Sequence, residues 1–157
     1  MTEQMVFDIC QVVVREPFSP TLLLAIAQQE SGYDHTEVRL ENGVYRRSSR
    51  PKNLTTTDEV LLSASYGLMQ TGAWTLYDLG FFGSWTYGGI ASRVDAYMED
   101  PVSQVTWGFK VLQDKLKIGG DVFTAVRRYN GSGPMAEKYK TEVLARYDKL
   151  SHIYHKG

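Results

Sequence analysis

Cysteine is nearly absent from this 157-residue sequence, where Cys10 stands alone. One thiol excludes an internal disulfide framework and a cysteine-rich metal site, and its amphipathic surroundings make it core filling. Histidine is scarce as well, limited to His35, His152 and His155. The last two have the i, i+3 spacing of shared ligands, but a solvated terminal pair is the simpler reading, so no metal and no cofactor are expected. An excess of either charge is missing too: the net charge is −1 and the sequence pI about 6.3. That balance, with no basic recognition helix, argues against a helix-turn-helix nucleic-acid binder. No apolar run approaches the roughly 20 residues that span a bilayer, so no membrane span is expected. The start, Met1-Thr2-Glu3-Gln4, has neither the basic stretch nor the cleavage site of a secretory signal. The expectation is a protein that reaches its target without a signal of its own, or one from which a signal has been left out.

What is present describes a mainly α, single-domain chain over residues 1–157, with 43% hydrophobic and 22% charged residues. A chain of this length buries about two-thirds of its unfolded surface. Val6, Ile9 and Val13 give a helix over 3–15, ended by Pro17. A second helix occupies 19–32, and Tyr66, Leu68, Trp74, Tyr77 and Leu79 make a third over 66–79. Residues 80–89, rich in glycine and aromatics, read as a loop. Asp100-Pro101 caps a long helix carrying Val102, Val105, Phe109, Leu112 and Leu116, which Gly119-Gly120 stops. A short helix over 121–129 ends at Asn130-Gly131, and a last one shows Ala136, Tyr139, Val143, Tyr147 and Leu150 on one face. Six helices result, with no internal repeat and no linker.

Residues 34–64 differ, being polar and without a long apolar stripe. Asn42-Gly43 between Val38-Arg39-Leu40-Glu41 and Val44-Tyr45-Arg46-Arg47 signals a small β-hairpin over 38–47 with a type I′ turn. The segment carries Arg39, Arg46, Arg47, Arg50 and Lys52, a pattern that fits a solvated insertion somewhat better than a binding arm.

The second helix holds the most informative residue. Ser19 can cap it, Pro20 suits its first position, and Gly32 can end it. Leu22, Ile26 and Glu30 then fall at i, i+4 and i+8 on one face, beside Leu23 and Ala27. A carboxyl on an inward face loses water, which disfavours its charged form and raises its pKa. An acid still protonated near neutral pH is what glycosidic bond cleavage requires. Taken alone, the same pattern also fits a glutamate at a helix end, paired with an arginine.

Three separated segments decide between these readings: Gln29-Glu30-Ser31-Gly32, Ser65-Tyr66-Gly67-Leu68-Met69-Gln70 and Arg128-Tyr129-Asn130-Gly131-Ser132-Gly133. In this order, with a long amphipathic helix between the second and third, the chain resembles the catalytic domain of the soluble lytic transglycosylases. These are lysozyme-like enzymes, related to goose-type lysozyme, that cut the glycan strands of peptidoglycan. The likeness covers roughly residues 18–147. It implies a lysozyme-like fold, peptidoglycan glycan strands as partner, and Glu30 as the single catalytic acid. In that mechanism the acid protonates the oxygen between N-acetylmuramic acid and N-acetylglucosamine, then takes the proton of the sugar's own 6-hydroxyl as a 1,6-anhydro ring closes. Proximity favours such internal attack, and the substrate's acetamido group replaces a second carboxylate.

The resemblance also implies roles for the flanking residues. Ser31 either positions the acid or substrate through its hydroxyl or simply ends the helix. Gln70, with Leu68 and Met69, matches the segment lining the family's sugar groove, and its amide suits an acetamido group. Met69 fits a core position equally well, while Gly67 would let backbone approach the ligand. Tyr129 matches the tyrosine whose hydroxyl reaches the acid, and Asn130 would hold the local turn. Tyr139 fits either a groove tyrosine or plain core packing, and Val143 fits core.

Two departures from the family stand out. The gap from Glu30 to Gly67 is long, and Arg128 replaces the alanine usual before Tyr-Asn. The long gap brings Glu37 and Glu41 forward as candidates for a second carboxylate, which would permit hydrolysis as in a true lysozyme. A non-catalytic peptidoglycan-binding module is the rival of another class, although binding alone needs no buried acid. The expected place of action is the bacterial cell wall, as a phage lysis or virion component or a domain of a larger secreted protein, with a monomer assumed.

Overall fold

Short polar caps set most of the helix starts in the computed structural model, which describes residues 1–41, 54–83 and 89–154. Thr2 accepts from Met5 N–H ahead of α1 (Glu3–Val13), and Ser19 from Leu22 N–H ahead of α2 (Pro20–Ser31). Gly32 closes α2 in the left-handed region, at φ 60° and ψ 30°. Strand β1 (Val38–Leu40) follows. Then come α3 (Thr56–Leu62), β2 (Ala64–Tyr66), β3 (Thr71–Gly72), α4 (Ala73–Asp78) and α5 (Gly89–Glu99). Asp100 accepts from Val102 and Ser103 N–H to start α6 (Pro101–Lys117), and Asp121 from Thr124 N–H to start α7 (Val122–Asn130). Helix α8 (Pro134–Tyr154) completes a mainly α, lysozyme-like fold with eight helices among the described residues.

The apolar residues gather in two cores. The larger surrounds α2, which is buried on every side over residues 21–27 and packs against α1 and α8. The expected single inward stripe is therefore a helix buried all round, with Glu30 near its emerging end. The smaller core joins Leu62, Tyr66, Trp74, Leu76, Phe82, Ile90, Val94 and Tyr97. Residues 64–69 pass between the two: Ala64 and Tyr66 belong to the smaller, Leu68 and Met69 to the larger. A three-stranded antiparallel sheet, ordered β1-β2-β3, lies at this junction, with Val38 opposite Tyr66 and Ser65 opposite Gly72.

Three sequence expectations need correction. Residues 66–79 are not one helix but the end of β2, a tight turn, β3 and α4. Gly67 at φ 72° and Gln70 at φ 43° hold left-handed backbone that breaks helical continuity. Leu68 N–H there donates to the buried Gln104 side chain instead of a helical carbonyl, at 2.8 Å. Helix α3 lies in the stretch expected to be merely polar, started by a capping box between Thr55 and Asp58. Helix α5 begins at Gly89, its buried Ile90, Val94 and Tyr97 at helical spacing, while residues 84–88 of the expected loop lie outside the described residues. Of the α6 stripe, Val102 is 48% exposed, whereas Val105, Phe109 and Leu112 are buried.

Strand β1 matches the first arm of the expected hairpin but pairs with β2. The Asn42-Gly43 turn, the second arm over 44–47, the basic residues Arg46, Arg47, Arg50 and Lys52, and His155 lie outside the described residues. Arg128 donates to the Gly119 carbonyl at the end of α6, so this departure from the family pattern serves to join α7 to α6.

Candidate active site

Glu30 sits one residue before the end of α2, where the helix leaves the core and its side chain keeps 12% of its surface exposed. Tyr139 of α8 donates its hydroxyl to Glu30 Oε1 at 2.6 Å. Arg39 of β1 stands on the other side, with Nη1 3.9 Å from Glu30 Oε2 and Nη2 donating to the Glu30 carbonyl. The acid's pKa is raised from 4.5 to about 7. Loss of water on burial is the main cause; the Tyr139 hydrogen bond and Arg39 oppose it, and the nearby charge of Glu41 adds to it. A carboxyl in this setting can hold a proton near neutrality and release it to a bound oxygen.

Two cavities meet at this acid. The larger, about 650 Å³, is bordered by Glu30, Arg39, Glu41, Gln70, Trp74 and Tyr129 among others. The smaller, about 220 Å³, lies against Gln29, Glu30, Met135, Lys138, Tyr139 and Glu142. Glu30, Arg39 and Asn130 belong to both, so the acid stands where the two halves of one cleft join.

The remaining residues singled out from the sequence fall into different places. Gln70 lies on the larger cavity at 7% exposure. Its Nε2 donates to the carbonyls of Glu37 and Gly67, both at 3.0 Å, and no described residue donates to Oε1. The amide thus spends its donors inside the protein, and its Oε1 is buried and unpaired among the described residues. Leu68 and Met69 do not line the cleft: both are fully buried in the larger core. Gly67 is needed for an approach of a different kind than expected, since a Cβ there would meet Gln104 Cδ at 2.3 Å. Ser31 donates to the Ala27 and Leu68 carbonyls, at 3.2 and 3.0 Å, and so ties the end of α2 to the 67–70 turn.

The two tyrosines divide the work differently from the expectation. Tyr129 donates to the Met69 carbonyl at 2.7 Å and lies 3.4 Å from Thr71 Oγ1, while Tyr139 reaches the acid. Both phenols are pushed well above their ordinary pKa, chiefly by burial and next by the charge of Glu30, so both stay protonated donors. Asn130 ends α7 on the rim shared by the cavities. Val143 is buried in the core.

Sequence reading missed Arg39 as a neighbour of the acid, because it appeared only as one of several basic residues. It missed Gln104 altogether. This fully buried amide accepts from Leu68 N–H and donates to the carbonyls of His35, Tyr97 and Met98. Its mid-helix position in α6 gives no local signal.

A mainly α, lysozyme-like fold thus carries a desolvated carboxyl where two halves of an open cleft join. The chain belongs to the transglycosylase SLT domain family, whose sequence model matches residues 12–150. The activity of that family is of the lytic transglycosylase type, on peptidoglycan. Comparison with curated proteins and with solved structures gave no match. No described helix is long and apolar enough to cross a membrane, and no described group of His, Cys, Asp and Glu could hold a metal ion.

Proposed function

We propose that this protein cleaves the bond from N-acetylmuramic acid to N-acetylglucosamine in peptidoglycan without consuming water, and that Glu30 is both acid and base. Glu30 gives its proton to the bridging oxygen as the bond to the anomeric carbon breaks. The ionised carboxylate then takes the proton of the muramic 6-hydroxyl, whose oxygen closes the 1,6-anhydro ring. The observation carrying this reading is the Glu30 carboxyl itself, desolvated, hydrogen-bonded by Tyr139 and open to a cleft on both sides.

The surrounding residues supply what that chemistry needs. Tyr139 orients the acid and steadies its charged form after proton transfer. Gln70 Oε1 is an acceptor suited to the N–H of an acetamido group at the muramic position. Ser31, Gly67, Leu68, Met69 and Tyr129 hold the turn that presents Gln70, and Asn130 borders the strand's path.

Mass spectrometry of digested cell-wall sacculi tests the reading. Fragments ending in 1,6-anhydromuramic acid are expected from the wild type, and Glu30→Gln should lower their release by ~10²–10⁴-fold. Sacculus binding with no soluble fragments would instead make the protein a binding module.

A further inference from the structure

We infer that Glu41 is a second catalytic carboxylate, giving the Glu30 cleft a hydrolytic outlet beside ring closure. The inference rests on the Glu30 reading above and adds an activity to it. Of the two carboxylates that the long segment after α2 brings forward, only Glu41 borders the larger cavity with Glu30. Glu37 is turned to Arg39 instead, with its Oε1 3.2 Å from Nε.

Glu41 is held in place although its residue is exposed. Its N–H donates to the Ser63 carbonyl at 2.9 Å, extending the β1–β2 pairing by one residue and fixing its backbone to the sheet. The Ser65 hydroxyl donates to Glu41 Oε1, and Ser65 is itself only 5% exposed on β2. The carboxylate is thus gripped by one oxygen, and lone pairs of the other remain for a water in the cavity. Gln70 borders the same space.

The two acids also differ in their surroundings. Glu30 is largely desolvated, whereas Glu41 is open to solvent and its negative charge helps Glu30 to retain a proton. In the hydrolytic outlet a water oxygen bonds to the anomeric carbon as the bond to the leaving sugar breaks. The leaving oxygen receives the Glu30 proton, and Glu41 receives a proton from the water. One water is consumed and nothing is oxidised or reduced.

The test is digestion of sacculi in heavy-oxygen water, with the ratio of labelled reducing-end muramic acid to 1,6-anhydromuramic acid read by mass spectrometry. Wild-type protein is expected to give both ends. Glu41→Gln should reduce the ratio on the order of 100-fold, the lower range of a general base's contribution. Ser65→Ala, which loosens Glu41 without removing it, should reduce the ratio less. A ratio unchanged by Glu41→Gln, or wild-type products with anhydro ends alone, overturns the role of Glu41 while leaving the Glu30 reading intact. Release of either product by Glu30→Gln at the wild-type rate overturns both together.

Discussion

An acid that keeps its proton in the folded state lowers the stability of the fold wherever that proton is removed. Glu30 has a folded pKa of about 7 against an ordinary 4.5. Below pH 4.5 both folded and unfolded chains hold the proton, and its contribution to stability is fully present. Between the two values the folded chain binds more protons, so stability falls as pH rises through about 7. The whole effect is worth up to about 3 kcal/mol. Glu30→Gln, neutral throughout, should therefore gain melting temperature relative to wild type as pH increases, on the order of 6–12 °C at about pH 8. A melting difference that ignores pH would mean the carboxyl is not desolvated. Tyr139→Phe acts on the same equilibrium by raising the pKa of Glu30 further, since it removes a bond favouring the charged form. The basic limb of kcat/KM should move to higher pH, with a rate loss of about 10–100-fold from the missing charge-assisted bond. Tyr129→Phe should leave that limb in place, because its hydroxyl serves the Met69 carbonyl. Glu30 was legible because its helix is bounded by local chemistry. Which tyrosine meets it was not, because that depends on how α8 crosses α2.

At the scale of elements, the 67–70 turn shows what local pattern cannot carry. Gln104, far away in the chain, accepts from Leu68 N–H and stands where a Cβ on residue 67 would lie. Apolar spacing alone made Tyr66, Leu68 and Trp74 look helical, and nothing nearby contradicted it. Gly67 holds the key contact, so Gly67→Ala should be severe. A left-handed backbone costs an L residue roughly 1–2 kcal/mol, and overpacking against Gln104 adds roughly 1–3 kcal/mol. Thermal unfolding should show a fall of about 4–20 °C. A fall of less than a degree would show that the turn yields easily and that Gln104 does not govern it. Helices α2 and α6 read correctly from Ser19 and Asp100, since a cap is a contact between residues two or three apart. Helix α3 escaped notice because it has seven residues and one fully buried side chain, too little for a periodic stripe.

For the whole molecule, the site lies between two cores of unequal size, and this bears on motion. Glu30 and Tyr139 belong to the larger core's helices, whereas Glu41, Ser65 and Trp74 border the cleft from the side of the sheet and the smaller core. Regions with fewer buried apolar contacts open at lower free energy than the regions they pack on. Val60 of α3 is 54% exposed, while residues 23–27 of α2 are completely buried. Amide hydrogen exchange should therefore be slowest in α2, at the rate of global unfolding, and faster by at least ~10-fold in α3 and α4. Binding of a glycan fragment that cannot be cleaved should slow exchange in β1, β2 and α3, because the strand would bridge both walls, and should slow α2 by the factor by which binding stabilises the whole fold. Uniform exchange across both cores would make the cleft a rigid slot. Strand entry would then need no opening of the sheet side, and access would depend on fit alone.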